Sequence, residues 1–522
     1  MTATLSRVQA QPAPADPPRR PRVARLARFL KRHSAFIALL AVGAVIRALF
    51  MSSYRPAFWY NGDSGDYVRL AALKDLEPDP TRAQGYVVAL KLLKPSGTFM
   101  SLTVLQHVAA LVLAIAVYAF LQHRGLPRWL SCLAVVPVLV DSLFITVEHY
   151  LLSDLILTFF ITTALIAVLW QRKPTWPATA LAGFLLACAW FTKPTALPLM
   201  LLVGIVLLVR WVGWRALAAY TVTFLVPYVL VMSWVGDRQS VYGSQTGIAL
   251  YGRAAMIADC SRIELTFEEQ TLCPTRHFDR ADAYFWTSPP KRRYLAYTPE
   301  GAKLYTDFSV AVIRQQPGDY LRSVGKESLA HFVPGFRLGP DNDCLRLRWA
   351  PPAEFRDTQT VPNRCYPAQA RGDYQWRAAD PRFGAEATPV TRVLHWYGQY
   401  VRFIPTTLSI SLLLVIATLI AGVRIFRWRL PGPIVPGRIR LDVVVLLFAG
   451  IGLTLLTVAL GMYEARYAMP ALPLASMGAA LAIFGLTSGR SRPAPEPTPE
   501  ASSKPEPTAT EPEDPEPRVP RR

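Results

Sequence analysis

The sequence predicts a polytopic α-helical membrane protein of about ten transmembrane helices, with one large extracytoplasmic domain of α/β or mixed structure. Three observations lead there. Hydrophobic residues make up 52% of the 522 positions, mean hydropathy is +0.24, and the apolar residues gather in runs long enough to cross a bilayer. Arg and Lys fall at the ends of those runs. A single long polar stretch, 236–400, interrupts them and holds four of the six cysteines. A soluble chain of this size would instead divide into several domains with polar surfaces.

The runs lie at 34–52, 99–121, 129–147, 151–170, 178–192, 195–211, 216–235, 401–424, 441–461 and 467–486. The fifth and sixth are short and are separated only by Thr192-Lys193-Pro194. The first is not a cleaved leader, because it ends in Ile46-Arg47-Ala48-Leu49-Phe50 without a small-residue cleavage site. Orientation follows from the cations. Arg19, Arg20, Arg22, Arg25, Arg28, Lys31 and Arg32 precede the first span. Counting alternately, His123-Arg124 with Arg128, Arg172-Lys173, Arg210 with Arg215, and Arg424 through Arg440 fall on the same side. The positive-inside rule makes that side cytoplasmic, with both termini there and with 52–98 and 236–400 outside. The net charge of +20 is therefore an orientation signal in a cell membrane. It is not read as a nucleic-acid groove, since Arg and Lys fall largely at the ends of apolar runs and form no basic groove with interleaved aromatics. The Arg-, Ala- and Pro-rich composition fits a high-GC bacterial genome.

Outside the spans, residues 1–33 read as a disordered basic cytoplasmic N-terminus. Its last part, 24–33, has the pattern of a helix lying on anionic headgroups. In the first outer loop, Asp66 to Leu73 has helical apolar spacing, and Gly85 to Leu93 is apolar but too short to span. Pro317 to Phe332 reads as one amphipathic helix within the outer domain. The Pro/Glu-rich segment 488–522 cannot bury a core and reads as a flexible cytoplasmic tail. Cys132 and Cys188 lie in apolar runs as buried thiols. Cys260, Cys273, Cys344 and Cys365 all fall outside, where two disulfides are expected; three pairings exist. Short loop closure favours Cys260–Cys273 and Cys344–Cys365.

The chemistry is expected at the acidic loop Asn61-Gly62-Asp63-Ser64-Gly65-Asp66-Tyr67. A carboxylate at the water edge of a helix bundle can meet a lipid-borne and a water-borne substrate together. Asp63 is the candidate base. The competing reading is structural: Asp63 caps the following helix, with Asp66 completing a capping box. Three-residue spacing on a helix puts both carboxylates on one face, which also suits a divalent cation, Mg or Mn, on phosphate oxygens. Arg82, Lys193 and Arg466 are expected at the outer membrane edge, where cations would hold an anionic lipid phosphate. Their bland alternatives are snorkelling or structural pairs such as Glu464 with Arg466. His149, His331 and His395 lack metal-ligand spacing and read as structural or surface histidines.

The segment Asp63-Ser64-x-x-Tyr67, followed by Arg82-Ala83-Gln84-Gly85-Tyr86, resembles polytopic glycosyltransferases of the GT-C superfold. The nearest pattern is that of bacterial members similar to protein O-mannosyltransferases, to aminoarabinose transferases and to Rgt-type transferases. Ser64 stands where family members often have Glu, and Gln84-Gly85-Tyr86-Val87 where they often have Pro-Gly-Tyr-Pro. The resemblance extends to Glu148-His149-Tyr150-Leu151-Leu152-Ser153-Asp154, to Phe191-Thr192-Lys193-Pro194-Thr195, and to Tyr463-Glu464-Ala465-Arg466-Tyr467. On a continuous helix, Tyr150 and Asp154 would share a face. The resemblance implies catalytic Asp63 and Asp66, and substrate contacts from Tyr67, Arg82, Tyr86, Glu148, Asp154, Lys193 and Arg466. It also implies a polyprenyl-phosphate sugar donor taken from the surrounding lipid, and an extracytoplasmic acceptor that is a protein, a lipid or a cell-wall glycan. The rival expectations are a transporter or flippase for a lipid-linked glycan and a non-catalytic membrane scaffold.

Overall fold

The computed structural model describes residues 22–60, 63–238, 240–242, 246–287, 298–340, 346–353, 368–369, 387–421, 424–425, 428–429 and 435–488. It opens with the basic helix α1 (Arg22–Arg32), whose Leu26, Phe29 and Leu30 are exposed. Then come α2 (Ser34–Ser53), the short strand β1 (Phe58–Trp59), α3 (Asp63–Ala72) and α4 (Gln84–Leu93). The apolar core follows as α5 (Met100–His123), α6 (Arg128–Val140), α7 (Ser142–Glu148), α8 (Asp154–Leu169), α9 (Trp176–Thr192), α10 (Leu197–Val209) and α11 (Trp214–Val235).

Each apolar run read from the sequence contains helix among the described residues. Among the described residues, six helical segments are long and apolar enough to cross a membrane, or seven if the bent pair α6–α7 is one span. Three of the expected spans, those around α8, α9 and α10, form shorter apolar helices. The pair α6–α7 bends by 51°. Its cause is Asp141, a fully buried carboxylate at the break. Asp141 accepts from Phe144 N at 2.8 Å, capping α7, and from Ile404 N at 3.1 Å. A side chain that bonds the backbone in this way ends one helix and starts the next.

Small and hydroxylated residues let the helices close on one another, the common device where lipid offers no hydrophobic drive to association. A Cβ added at Gly183 of α9 would lie 2.4 Å from the carbonyl oxygen of Tyr220 in α11. Beside it, Thr179 donates to Ala216 O at 2.7 Å and Thr223 to Ala180 O at 2.9 Å.

The polar segment after α11 holds α12 (Thr246–Ala255), α13 (Phe267–Gln270), α14 (Ala281–Thr287), α15 (Pro299–Gln315) and α16 (Pro317–Phe332). Its described part is mainly helical; strand β2 (Ala368–Gln369) pairs antiparallel with β1. The amphipathic helix read at Pro317 to Phe332 has those same limits. Its small core is Tyr251, Tyr305, Phe308, Val312 and neighbours, closed by a Cys260–Cys273 disulfide. Cys344 and Cys365 lie outside the described residues, as do 1–21 and 489–522, so the second disulfide and both terminal segments carry no structural description. Cys132 and Cys188 are free thiols. The chain returns through α17 (Pro389–Tyr400), α18 (Ile404–Ile420), α19 (Gly437–Leu460) and α20 (Ala471–Ser488), the last packed against α6, α18 and α19.

Candidate active site

The acidic loop starts a helix: α3 begins at Asp63, with Asp66 one turn on. Its other face is apolar, and Tyr67, Val68, Leu70 and Ala71 bury against Tyr86, Val87 and Leu90 of α4. Ser64 fixes the helix start. Its hydroxyl donates to Leu151 O at 3.0 Å and accepts from Tyr60 N at 2.9 Å. Ser64 is thus fully buried and faces the protein backbone.

Arg82 is aimed from the other side. Asp79 accepts from Thr81 N and from Arg82 N, at 2.8 and 2.9 Å, which closes a tight turn just before α4. Gly85 in α4 lies so close to the end of α9 that a Cβ there would stand 2.6 Å from Thr192 Oγ1. Tyr242 locks the same junction, donating to Phe191 O at 2.6 Å and accepting from Gln84 N at 2.7 Å. That packing brings Arg82 toward Lys193, the residue just past α9.

The result is a ladder of six alternating charges drawn from five parts of the chain. Asp66 Oδ2 meets Arg82 at 2.9 Å, and Arg82 meets Asp63 Oδ1 at 2.9 Å. Asp63 Oδ2 meets Arg466 at 2.6 Å. Arg466 meets Asp154 Oδ2 at 3.1 Å, and Asp154 Oδ1 meets Lys193 Nζ at 2.9 Å. Asp63 and Asp154 both open helices, where the dipole favours negative charge. Aromatic rings line the Arg466 end: its guanidinium lies 4.6 Å from the Tyr60 ring centroid and 5.2 Å from that of Tyr467.

Burial raises the Asp63 carboxyl, but the guanidiniums of Arg82 and Arg466 more than offset it and bring its pKa down to about 2. Burial lifts Asp66 above the usual carboxylate range, and Arg82 only partly opposes it. Burial likewise pushes the Tyr67 hydroxyl up to about 12. A depressed carboxyl contributes stability that is complete above its unfolded pKa and is lost as pH falls through the folded one. The share that Asp63 contributes is therefore expected to hold from neutral pH down to about pH 4 and to lose about 2 kcal/mol between there and about pH 2, whereas Asp66, raised by burial, lets go of Arg82 at higher pH. Acid titration of thermal stability, wild type against Asp63→Asn, checks this: the acid loss should shrink in the variant.

Six of the nine expected site residues meet in this ladder: Asp63, Asp66, Arg82, Asp154, Lys193 and Arg466. Tyr67 is adjacent, with its hydroxyl 3.3 Å from Ser153 Oγ. Tyr86 stacks edge-on against Tyr67 but bonds to Gln106 Oε1, at 3.1 Å. Glu148 is not brought to the ladder. It is fully buried and paired with Arg47 and His107, at 2.6 and 2.7 Å. Tyr150 and Asp154 do not share a helical face, because α8 begins only at Asp154; Tyr150 forms a bridge with Phe58 instead. Arg466 pairs with Asp63 and Asp154, not with Glu464. Glu464 accepts from Trp349 Nε1 at 2.7 Å and lies 3.7 Å from Arg280. Trp349 also stacks on Tyr60, with centroids 5.6 Å apart, so the outer domain supplies part of the wall. No motif marked Tyr60 or Trp349; Glu464 lay inside the family-like segment 463–467 but was read only as a structural partner for Arg466.

A divalent cation is not well served by these residues. The Arg82 guanidinium already occupies the space between Asp63 and Asp66, and a second guanidinium takes the other Asp63 oxygen. Among the described residues no three His, Cys, Asp or Glu side chains are grouped to hold a metal. Of the histidines, His331 is buried against Tyr463, His395 bonds to Pro351 O at 2.8 Å, and His149 lies in the Glu148 cluster.

No curated protein matches the chain. Among solved structures, an Archaeoglobus fulgidus oligosaccharyltransferase tethered to an acceptor peptide aligns with 88% of this chain, at 12% identity and a TM-score of 0.32. The alignment spans 50% of that enzyme's length. A likeness at that score supports no conclusion on fold or activity. Residues 86–235 match the family described as dolichyl-phosphate-mannose-protein mannosyltransferase. That segment holds Tyr86, Glu148, Asp154 and Lys193; Asp63, Asp66, Tyr67, Arg82 and Arg466 lie outside it. Over α4 to α11, then, this chain is similar to the protein mannosyltransferases, the family its first-loop motifs resemble.

Proposed function

We propose that this protein is a membrane glycosyltransferase that moves a sugar from a polyprenyl-phosphate carrier to an acceptor hydroxyl at the membrane surface. The observation that carries the reading is the charge ladder, in which one carboxylate stands between two guanidiniums at the meeting point of five chain segments. The acceptor oxygen attacks the anomeric carbon, the bond from that carbon to the carrier phosphate breaks, and the polyprenyl phosphate leaves with the electron pair. Asp63 takes the acceptor proton. A single displacement inverts the anomeric centre.

The ladder suits this exchange of charges. With no donor bound, Arg82 and Arg466 are neutralised by Asp63, Asp66 and Asp154. An entering lipid phosphate competes for the same guanidiniums, which can grip it bidentately. The Nε atoms of Arg82 and Arg466 are buried without a hydrogen-bond partner among the described residues, so donors remain to be used. As the arginines turn to the phosphate, Asp63 is released from the pairs that hold its pKa near 2, and its basicity rises when the acceptor arrives. Lys193 adds a point charge for the leaving phosphate. Asp66 holds Arg82, and Tyr67 remains a neutral donor. No step is assigned to a metal ion. Protein, lipid and cell-wall hydroxyls all fit this chemistry as acceptors; the family match favours a protein.

The test is donor consumption in proteoliposomes supplied with a panel of radiolabelled polyprenyl-phosphate sugars and a mixed acceptor fraction, with and without a chelator. Release of polyprenyl phosphate that survives chelation is the expected result. If labelled carrier instead crosses the bilayer unconsumed, the protein is a transporter.

A further inference from the structure

Behind the site, a second set of charged groups is buried that transfer does not use. Arg47 of α2 makes a bidentate pair with Glu148, through Nε to Oε2 at 2.8 Å and through its terminal nitrogen to Oε1 at 2.6 Å. Further donors of Arg47 go to the carbonyls of Gly43, Leu139 and Val138. From Glu148 a chain of two imidazoles runs outward. His107 Nδ1 lies 2.7 Å from Glu148 Oε2, and His107 Nε2 lies 3.1 Å from His149 Nδ1. His149 Nε2 lies 2.6 Å from the carbonyl oxygen of Tyr54. His107 is 1% exposed and His149 0%, so bulk solvent does not reach either ring.

Counting hydrogens decides what this chain must hold. Its two ends are acceptors: a carboxylate already engaged by Arg47, and a backbone carbonyl. Three contacts in series need three hydrogens, and two neutral imidazoles supply only two. We infer that the His107–His149 pair holds one extra shared proton, and that this proton fastens the first outer loop to the bundle as a positioning device for Asp63. Whether the proton rests on an imidazole or on Glu148, the count is the same. Burial opposes the added charge. The Glu148 carboxylate favours it, and the Arg47 guanidinium opposes it. Facing the pair from the other elements are Arg47 of α2, Glu148 of α7, Tyr54 before β1, and Tyr397 of α17 beside Arg47 and Glu148. The rings of Phe50, Tyr54 and Phe58 enclose His149.

The anchored loop leads straight into the ladder. Tyr54 is followed by β1, whose Phe58 donates to His149 O at 2.9 Å and accepts from Leu151 N at 3.1 Å. Ser64 then bonds Leu151 O, next to Asp63. Once the proton leaves, one of the three contacts sets two lone pairs face to face, and the Tyr54–Asp63 connection loosens. The catalytic consequence rests on the role proposed for Asp63; the anchor itself does not.

Hydrogen–deuterium exchange of the full-length protein in nanodiscs, with no substrate present, tests the anchor. The peptide covering 54–70 is compared between wild type and His149→Gln across the histidine range, about pH 5 to 8. A primary amide brings two hydrogens, so one amide and one neutral imidazole satisfy all three contacts without an added proton. Equal exchange at the acid end, and wild type faster by about tenfold or more at the alkaline end, is the expected result. A wild-type to variant ratio that stays constant with pH overturns the proposal. If His149→Gln does not insert, His107→Gln supplies the same third hydrogen and is judged by the same ratio. In donor turnover, the wild type should show an alkaline fall that the glutamine variant lacks. Altered exchange without any turnover would leave the anchor standing and defeat the transferase reading instead.

Discussion

Replacing Asp63 with Asn is expected to lower sugar transfer by roughly 100- to 10,000-fold, the range that a positioned general base contributes. The amide matches the carboxylate in size but cannot take the acceptor proton. The loss should appear in kcat. Arg82 keeps Asp66 and Arg466 keeps Asp154, each at about 3 Å, so the phosphate-holding groups stay in place. Freed from Asp63, they should bind the donor as well as before or better, and KM should hold or fall. Initial rates over a range of donor concentration separate the two constants. A fall in kcat of less than about tenfold would remove Asp63 from the role of base. A rise in KM with kcat unchanged would make it a binding residue.

How much of this was legible in the sequence depends on the range of the interaction. Apolar runs announce helices because a bilayer demands length and apolarity from each segment separately. The short-range reading of Asp63 and Asp66 on one helical face held for the same reason: the spacing is local. Arg82, Lys193 and Arg466 were legible by class, as cations at the ends of spans, but their order in the ladder was not. That order depends on close approaches such as Gly85 against Thr192, which no pattern encodes. Glu148 shows the opposite failure. Its place at the start of the family-like segment suggested the site, yet Arg47 lies about one hundred positions away in sequence and claims it first. The helical face expected for Tyr150 and Asp154 failed because one helix ends at Glu148 and the next begins only at Asp154, with Tyr150 bridged to Phe58 between them. Trp349 and Tyr60 reach the site through long-range stacking that leaves no local mark.

Asp442 carries the second large expectation. It sits in the first turns of α19, fully buried, and pairs with both Arg124 and Arg210. Those arginines read from sequence only as cytoplasmic charges, but their side chains are 5% exposed. Each also serves helix ends: Arg124 donates to Leu169 O at 3.0 Å, and Arg210 to Val168 O at 3.0 Å and Gln171 O at 3.2 Å. One carboxylate thus gathers the C-terminal ends of α5, α8 and α10 onto the start of α19. Cations at helix C-termini are favourable in themselves, so each arginine keeps some support without Asp442. What they lose is charge balance in a place that water does not reach. Asp442→Ala should therefore cost about 3 to 5 kcal/mol, the usual penalty for stranding a buried partner. Asp442→Asn, which still accepts hydrogen bonds, should cost less. Removing all three charges together with leucines should cost less than Asp442→Ala alone, because burying a paired set gains little over apolar packing. Thermal unfolding in one detergent, run on all four proteins, orders them. If Asp442→Ala unfolds with the wild type, water reaches that end of the bundle and the three charges are separately solvated.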